Sequence, residues 1–407
     1  MTSPLSGKND SKPAISWVDT LKSQNWKVIL VLALVTAVCC SPIYYHRIAV
    51  PVDTDYGSHV RFTQEMLNGQ GLDPLTASHP LLQLILAAMH LVTAKKLGLY
   101  ASLMILQVVV QVATALILYG WFGKADRKYW DWLRAGAAFS LTFVAPIMLF
   151  AFQDGFFYYG YIGLANYHNP TIHLLKPFAL LSMIYAIRAL QIERSHWKDV
   201  CLSALWITIS AWIKPNYAMS ILPALALVIF IRWLQHKKID WRMVIFGFAI
   251  PGFITLLIQW LIAYPFGDPA EGIIFAPFQV EGSYSGNLAL KFILSILFPL
   301  CILVIARRQF LVDSTLMIGW AGFLSGALQF YFLAEGGERF YHANFRWSAQ
   351  IMLFLLFAIS VRWLLQKKIL SGAMRIWEKI FSYGLYLAHF LAGIAYYMYC
   401  MVSIHYR

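Results

Sequence analysis

The chain has 407 residues, 60% of them hydrophobic and only 13% charged, with a formal net charge of +13. Soluble globular domains run at about 45–50% apolar and about 25% charged, so this composition excludes a soluble enzyme. The positive balance is no nucleic-acid signal either, because the basic residues fill short gaps between apolar runs, as in cytoplasmic loops.

Residues 1–26 are polar and longer than the n-region of a cleaved signal peptide. They predict a retained cytoplasmic tail, with Trp17 to Leu21 on the membrane surface, leading into a signal-anchor helix. The rest, 27–407, reads as one all-α transmembrane domain. Its apolar runs have the bilayer-crossing length of about 17–25 residues. The first span covers 27–45 and is followed by a polar segment, Val52 to Pro80, that carries Asp53, Asp55, Glu65 and Asp73. Tyr56 to Leu67 predicts a short helix lying along the interface. Thr54 or Asp55 would cap it. The next apolar piece, 80–94, is short for a span. If it crossed, every later basic loop would fall outside, against the positive-inside rule. It is therefore expected on the outer surface, and 46–98 becomes the first outer loop.

The remaining spans are expected at 99–121, 135–153, 171–192, 200–213, 217–234, 243–264, 287–306, 315–334, 347–366 and 380–402. With the first they make about eleven, N-terminus inside. Lys214-Pro215-Asn216 breaks the pair 200–213 and 217–234. Pro177, Pro223, Pro251 and Pro299 are further expected breaks. Loops 46–98, 154–170, 265–286 and 335–346 then share the outer face with nearly all the polar variety of the chain. A site is expected there.

Asp55 reads either as a helix cap or as a general base, with Asp53 supporting the turn. Cations near the same face are Lys176, Lys214, Lys291, Arg339 and Arg346. An Arg fork suits phosphate geometry best. Arg339, in Glu-Gly-Gly-Glu-Arg, is the strongest phosphate candidate, because glycines let backbone approach a ligand. Lys176 and Lys291 also have the bland option of snorkelling to the headgroups. His79, His168, Asn169 and His342 are candidate substrate contacts. Phe156, Phe157, Tyr158, Tyr159 and Tyr161 read first as an interfacial belt and second as a sugar platform. The histidines and the five cysteines match no metal-ligand spacing, so no metal and no cofactor is expected.

Asp-Tyr-Gly-Ser-His-Val-Arg-Phe-Thr-Gln-Glu-Met-Leu from Asp55 to Leu67, then Asn-Gly-Gln-Gly and Ser78-His79-Pro80-Leu81-Leu82, resembles the first outer loop of GT-C membrane glycosyltransferases. Protein O-mannosyltransferases and lipid A aminoarabinose transferases are nearest in pattern. The resemblance covers about 45 residues. Tyr56 stands where the family often has a second acid, and one proline of the second motif is lost. The resemblance implies a sugar donor on a polyprenyl phosphate and a lipid, glycan or protein acceptor. It further implies single-displacement inversion with Asp55 as base. The rivals are a polysaccharide polymerase or ligase, which usually has a larger late outer loop than 265–286, and a transporter, which would show paired broken helices.

Overall fold

The computed structural model describes residues 25–49, 54–73, 76–154, 157–264, 272–372 and 374–403. The expected N-terminal tail, apart from its last residues, and Asp53 lie outside them. The helices are α1 (Trp26–Ala49), α2 (Asp55–Leu67), α3 (Leu81–Val92), α4 (Leu99–Trp121), α5 (Trp130–Leu141), α6 (Pro170–Ala189) and α7 (Trp197–Ile213). They continue with α8 (Asn216–Leu234), α9 (Met243–Ala263), α10 (Leu288–Ala306), α11 (Ser314–Phe332), α12 (Arg346–Trp363) and α13 (Ile376–Val402). Two three-residue strands, β1 (Ile273–Phe275) and β2 (Leu333–Glu335), pair antiparallel with Ile274 opposite Ala334.

Eight helices among the described residues are long and apolar enough to cross a membrane: α1, α4, α6, α8, α9, α10, α12 and α13. The chain is a multi-pass helical membrane protein. The other three expected spans fall short of that standard. α5 has 12 residues and α7 has 17. α11 has 19 but includes Ser314, Thr315, Ser325 and Gln329. α3, at 12 residues, is about 18 Å long, too short to cross. Pro177, Pro223 and Pro299 sit inside helices α6, α8 and α10, where they were expected to break the chain. Neighbouring helices can satisfy the backbone groups a proline frees.

α12 runs through the centre, with 94% of its most apolar window buried, whereas α13 buries 22% and α9 28%. The outer faces of these two carry exposed Phe253, Leu261, Leu387 and Leu391, as a lipid-facing surface should. Glycine brings neighbours together at two places. A Cβ on Gly326 of α11 would lie 2.6 Å from the Ser348 carbonyl oxygen of α12. One on Gly393 of α13 would lie 1.7 Å from the Phe143 carbonyl oxygen. That second approach explains why α5 stops early. The chain leaves the helix at Thr142, and Pro146 disfavours helix at Ala145. The unwound backbone is then satisfied by its neighbours. Ala145 N donates to the His389 carbonyl (3.2 Å) and Ile147 N to that of Leu294 (3.2 Å). The Phe298 amide donates to His389 Nε2 (3.4 Å), which leaves Nδ1 to donate to the Ala145 carbonyl (2.8 Å).

The turns after α4, α6, α8, α10 and α12 meet at one end of the bundle. Arg127 donates to the Ile369 carbonyl (2.9 Å), Gln235 to that of Leu311 (3.2 Å), and Lys238 pairs with Glu193 (2.5 Å). These are the basic loops. The opposite end gathers the starts of α2, α6, α8 and α12 and the ends of α7, α9 and α11 around a cavity.

Candidate functional site

α2 starts without a side-chain cap. Thr54 holds the cap position with extended backbone (φ −140°, ψ 159°), but its hydroxyl turns back to the Arg47 carbonyl (3.4 Å). Asp55 is the first helical residue, where the helix dipole favours a carboxylate. Its amide donates to the His168 carbonyl (2.9 Å), and its Oδ2 accepts from Asn169 Nδ2 at 2.5 Å. The cap position is thus held by Thr54, and Asp55 stands one residue inside the helix.

Asn169 explains how the carboxylate is aimed. It caps α6, with Pro170 at the first position where a missing N–H costs nothing. Its Oδ1 accepts from the amides of Thr171 and Ile172 (3.1 Å each) and from Thr171 Oγ1 (2.6 Å). With the oxygen so committed, the NH₂ group must face Asp55. The preceding turn is fixed in the same manner. Asn166 Oδ1 accepts from the amides of His168 and Asn169 (3.1 Å each), and its Nδ2 donates to Tyr158 Oη (3.0 Å). Lys214, in the break between α7 and α8, closes a chain of hydrogen bonds. Its Nζ donates to Thr171 Oγ1 (3.2 Å), which donates to Asn169, which donates to Asp55. The ammonium lies 4.9 Å from the Trp347 ring centroid.

These groups line a cavity of about 750 Å³, within the usual range for a small-molecule site. It brings together Asp55, Lys214, Arg339, Arg346, His79, His168, Asn169 and His342. Lys176 and Lys291 are not among its walls, and they do not snorkel. Lys176 is buried, donating to the Leu164 carbonyl (2.9 Å). Lys291 is fully buried, paired with Asp154 (2.5 Å) and donating to the Tyr159 carbonyl (2.9 Å). Arg346 lines the cavity but is already balanced by buried Glu281 (2.8 Å), with its guanidinium 4.5 Å from the Tyr159 ring. Arg339 makes no ion pair among the described residues. Tyr158 and Tyr161 are fully buried and Tyr159 nearly so, so these three form no interfacial belt; Phe157 is half-buried and Phe156 lies outside the described residues. Only Tyr159 of the three reaches the cavity, stacked on Tyr284 at 4.3 Å.

Several walls were missed from sequence. Glu335, at the end of β2, accepts from Tyr264 Oη (2.8 Å) and from Asn344 Nδ2. It opens the same Glu-Gly-Gly-Glu-Arg stretch that drew attention to Arg339, so its signal was present. Gln259 of α9 donates to the carbonyls of Ser78 (2.9 Å) and Ala211 (2.7 Å), tying α9 to the loop before α3. Nothing in an apolar run marks such a residue. Among the described residues no group of three or more His, Cys, Asp or Glu is placed to hold a metal ion.

Burial, with the Lys214 charge next, drives His59 and His79 down to about 3. Burial and Arg346 hold His168 well below its ordinary value. These imidazoles stay neutral at ordinary pH. Lys214 is lowered from 10.5 to about 8 by burial, against the pull of Asp55 and Glu335. Between about 8 and 10.5 the unfolded chain binds the Lys214 proton and the folded chain does not, so stability rises with pH across that window. The cavity loses its cation over the same window. Binding of inorganic phosphate to the detergent-solubilised protein is therefore expected to fall as pH passes about 8, while the melting temperature rises. Lys214→Arg should flatten both curves, and a wild-type binding curve level to pH ~10 would remove Lys214 as the titrating cation.

Compared with protein-family models, curated proteins and solved structures, the chain matches none of them.

Proposed function

We propose that the protein is a membrane glycosyltransferase of the GT-C type. It moves a sugar from a polyprenyl phosphate to an acceptor hydroxyl, with inversion and with Asp55 as the general base. The observation that carries this reading is the Asp55 carboxylate, held by Asn169 at the wall of a cavity that also contains Lys214 and Arg339. The acceptor oxygen attacks the anomeric carbon, the bond from that carbon to the phosphate oxygen breaks, and the acceptor proton passes to Asp55. The leaving group departs as a phosphate monoester, so it needs cations more than an acid. Lys214 and Arg339 supply them, Arg339 with a fork matched to phosphate. Tyr159, Trp347, neutral His79 and His168, and His342 offer the sugar ring faces and hydrogen-bonding groups.

The basic loops support an orientation as well. They share one end of the bundle, the end that faces the cytoplasm by the positive-inside rule. The cavity then opens at the outer face of the cell membrane, where α2 and α3 lie along the surface and a polyprenyl donor is presented. Mass spectrometry of envelope lipids, glycans and proteins from cells with and without the gene tests the reading. One class of molecule should lose the mass of a single sugar residue, and Asp55→Asn should not restore it. Unchanged glycosylation in the deleted strain, beside uptake of a solute into vesicles bearing the protein, would replace transfer by transport.

A further inference from the structure

The last turn of α1 holds a charge that the transfer reaction does not use. Arg47 is 1% exposed, and among the described residues none of its three guanidinium nitrogens meets an oxygen or nitrogen acceptor, the Cys400 thiol being its one side-chain partner. Every other buried arginine among the described residues has an oxygen. Arg134 reaches Asp131 (2.5 Å) and the Tyr119 carbonyl (3.3 Å), Arg232 the Lys238 carbonyl (3.1 Å), and Arg346 reaches Glu281 (2.8 Å). A guanidinium cannot shed its proton to escape burial. An uncompensated charge taken out of water is among the costliest things a protein interior can hold.

The surroundings point to what completes it. The Arg47 charge is felt at Tyr56, His168, Tyr396 and Cys400. Tyr56 Oη and Tyr396 Oη are themselves buried with no hydrogen-bonding oxygen or nitrogen among the described residues, on residues 1% and 0% exposed. Cys400 offers only a weakly accepting thiol. Each tyrosine hydroxyl can rotate its proton toward the guanidinium side, so the cluster is rich in donors and lacks a strong acceptor. The tyrosines here, Tyr56, Tyr396 and Tyr167 (ring centroid 5.8 Å from that of Tyr396), are almost wholly buried, a setting that suits a monatomic ion better than a tetrahedral oxyanion. We infer that Arg47, with the hydroxyls of Tyr56 and Tyr396, forms a buried halide site, chloride being its ordinary occupant, where α1, α2 and α13 meet behind the cavity.

The site does not depend on the transfer reaction and is tested without it. The full chain, purified in detergent, is melted at constant ionic strength with chloride exchanged for bromide or gluconate. A ligand that binds only the folded state raises its melting temperature. Wild type should melt several degrees lower in gluconate than in chloride, with bromide restoring most of the loss. Arg47→Gln should lose the difference, and Tyr56→Phe should shrink it. Chloride NMR supplies a direct readout: the folded wild type should broaden the chloride resonance and Arg47→Gln should not. If Arg47→Gln does not fold, the wild-type linewidth and the Tyr56→Phe melts still decide. Equal salt dependence in wild type and Tyr56→Phe, or no broadening by folded wild type, would overturn the halide site and leave a general salt effect.

Discussion

Asp55→Asn is expected to abolish sugar transfer while leaving the protein folded and able to bind polyprenyl phosphate. A positioned base contributes typically about 10²–10⁴-fold, so turnover should fall by at least that range. The substitution is conservative in every other respect. An Asn side chain keeps an oxygen to accept from Asn169 Nδ2, so the 2.5 Å contact retains a counterpart. Its amide also leaves the backbone bond from residue 55 to the His168 carbonyl untouched. Lys214 loses a carboxylate that raises its pKa. The pH above which phosphate binding fails should therefore move down in this variant. Asn169→Ala provides the contrast. It leaves the base in place but unaimed, so turnover should fall with little change in donor affinity. Near-normal turnover by Asp55→Asn would end the base assignment.

Breaking the pair between Arg346 and Glu281 is expected to have the largest effect on stability. Both side chains are almost wholly buried, at 5% and 1% exposure. Removing one partner of a buried pair costs roughly 3–5 kcal/mol, because it strands the other charge. Burial already holds the Glu281 carboxyl above its usual range in spite of the adjacent guanidinium. Arg346→Met should therefore leave a protonated Glu281 and lose less than Glu281→Met, which strands a guanidinium that cannot neutralise. The double variant should recover most of the melting temperature, since apolar replacements of buried pairs are often neutral or better. Denaturant or thermal unfolding in detergent would measure all three. Equal losses that simply add in the double variant would show that the two residues do not act as a pair.

Much of this arrangement was legible in the sequence, and the reasons differ by residue. The apolar runs gave the helices, because bilayer length is a strong signal. Lys214-Pro215-Asn216 separates α7 from α8 as expected, since proline there lacks the amide the helix needs. The outer loops were grouped by charge alone, and Asp55, Arg339, His79, His168, Asn169 and His342 do share one cavity. What pattern could not supply was pairing. Lys176, Lys291 and Arg346 looked alike as cations near one face. Only the fold shows that Asp154 and Glu281 balance two of them and that a carbonyl takes the third. Single-sequence periodicity also ran 135–153 as one helix, whereas His389 and Gly393, more than two hundred residues away, hold part of it unwound.

The uneven character of the helices bears on how the chain is made. α5, α7 and α11 are too short or too polar to be stable alone in lipid, yet α6 and α12 beside them are among the most enclosed. In a bilayer, helices that insert independently pack afterwards. Gly326 shows the constraint at atomic scale, because α11 gains its close backbone contact only once α12 is there to receive it. The close approach of α11 and α12 therefore forms only after both helices have been made. A chain that ends between them would leave the Gly326 face of α11 without the backbone it packs against.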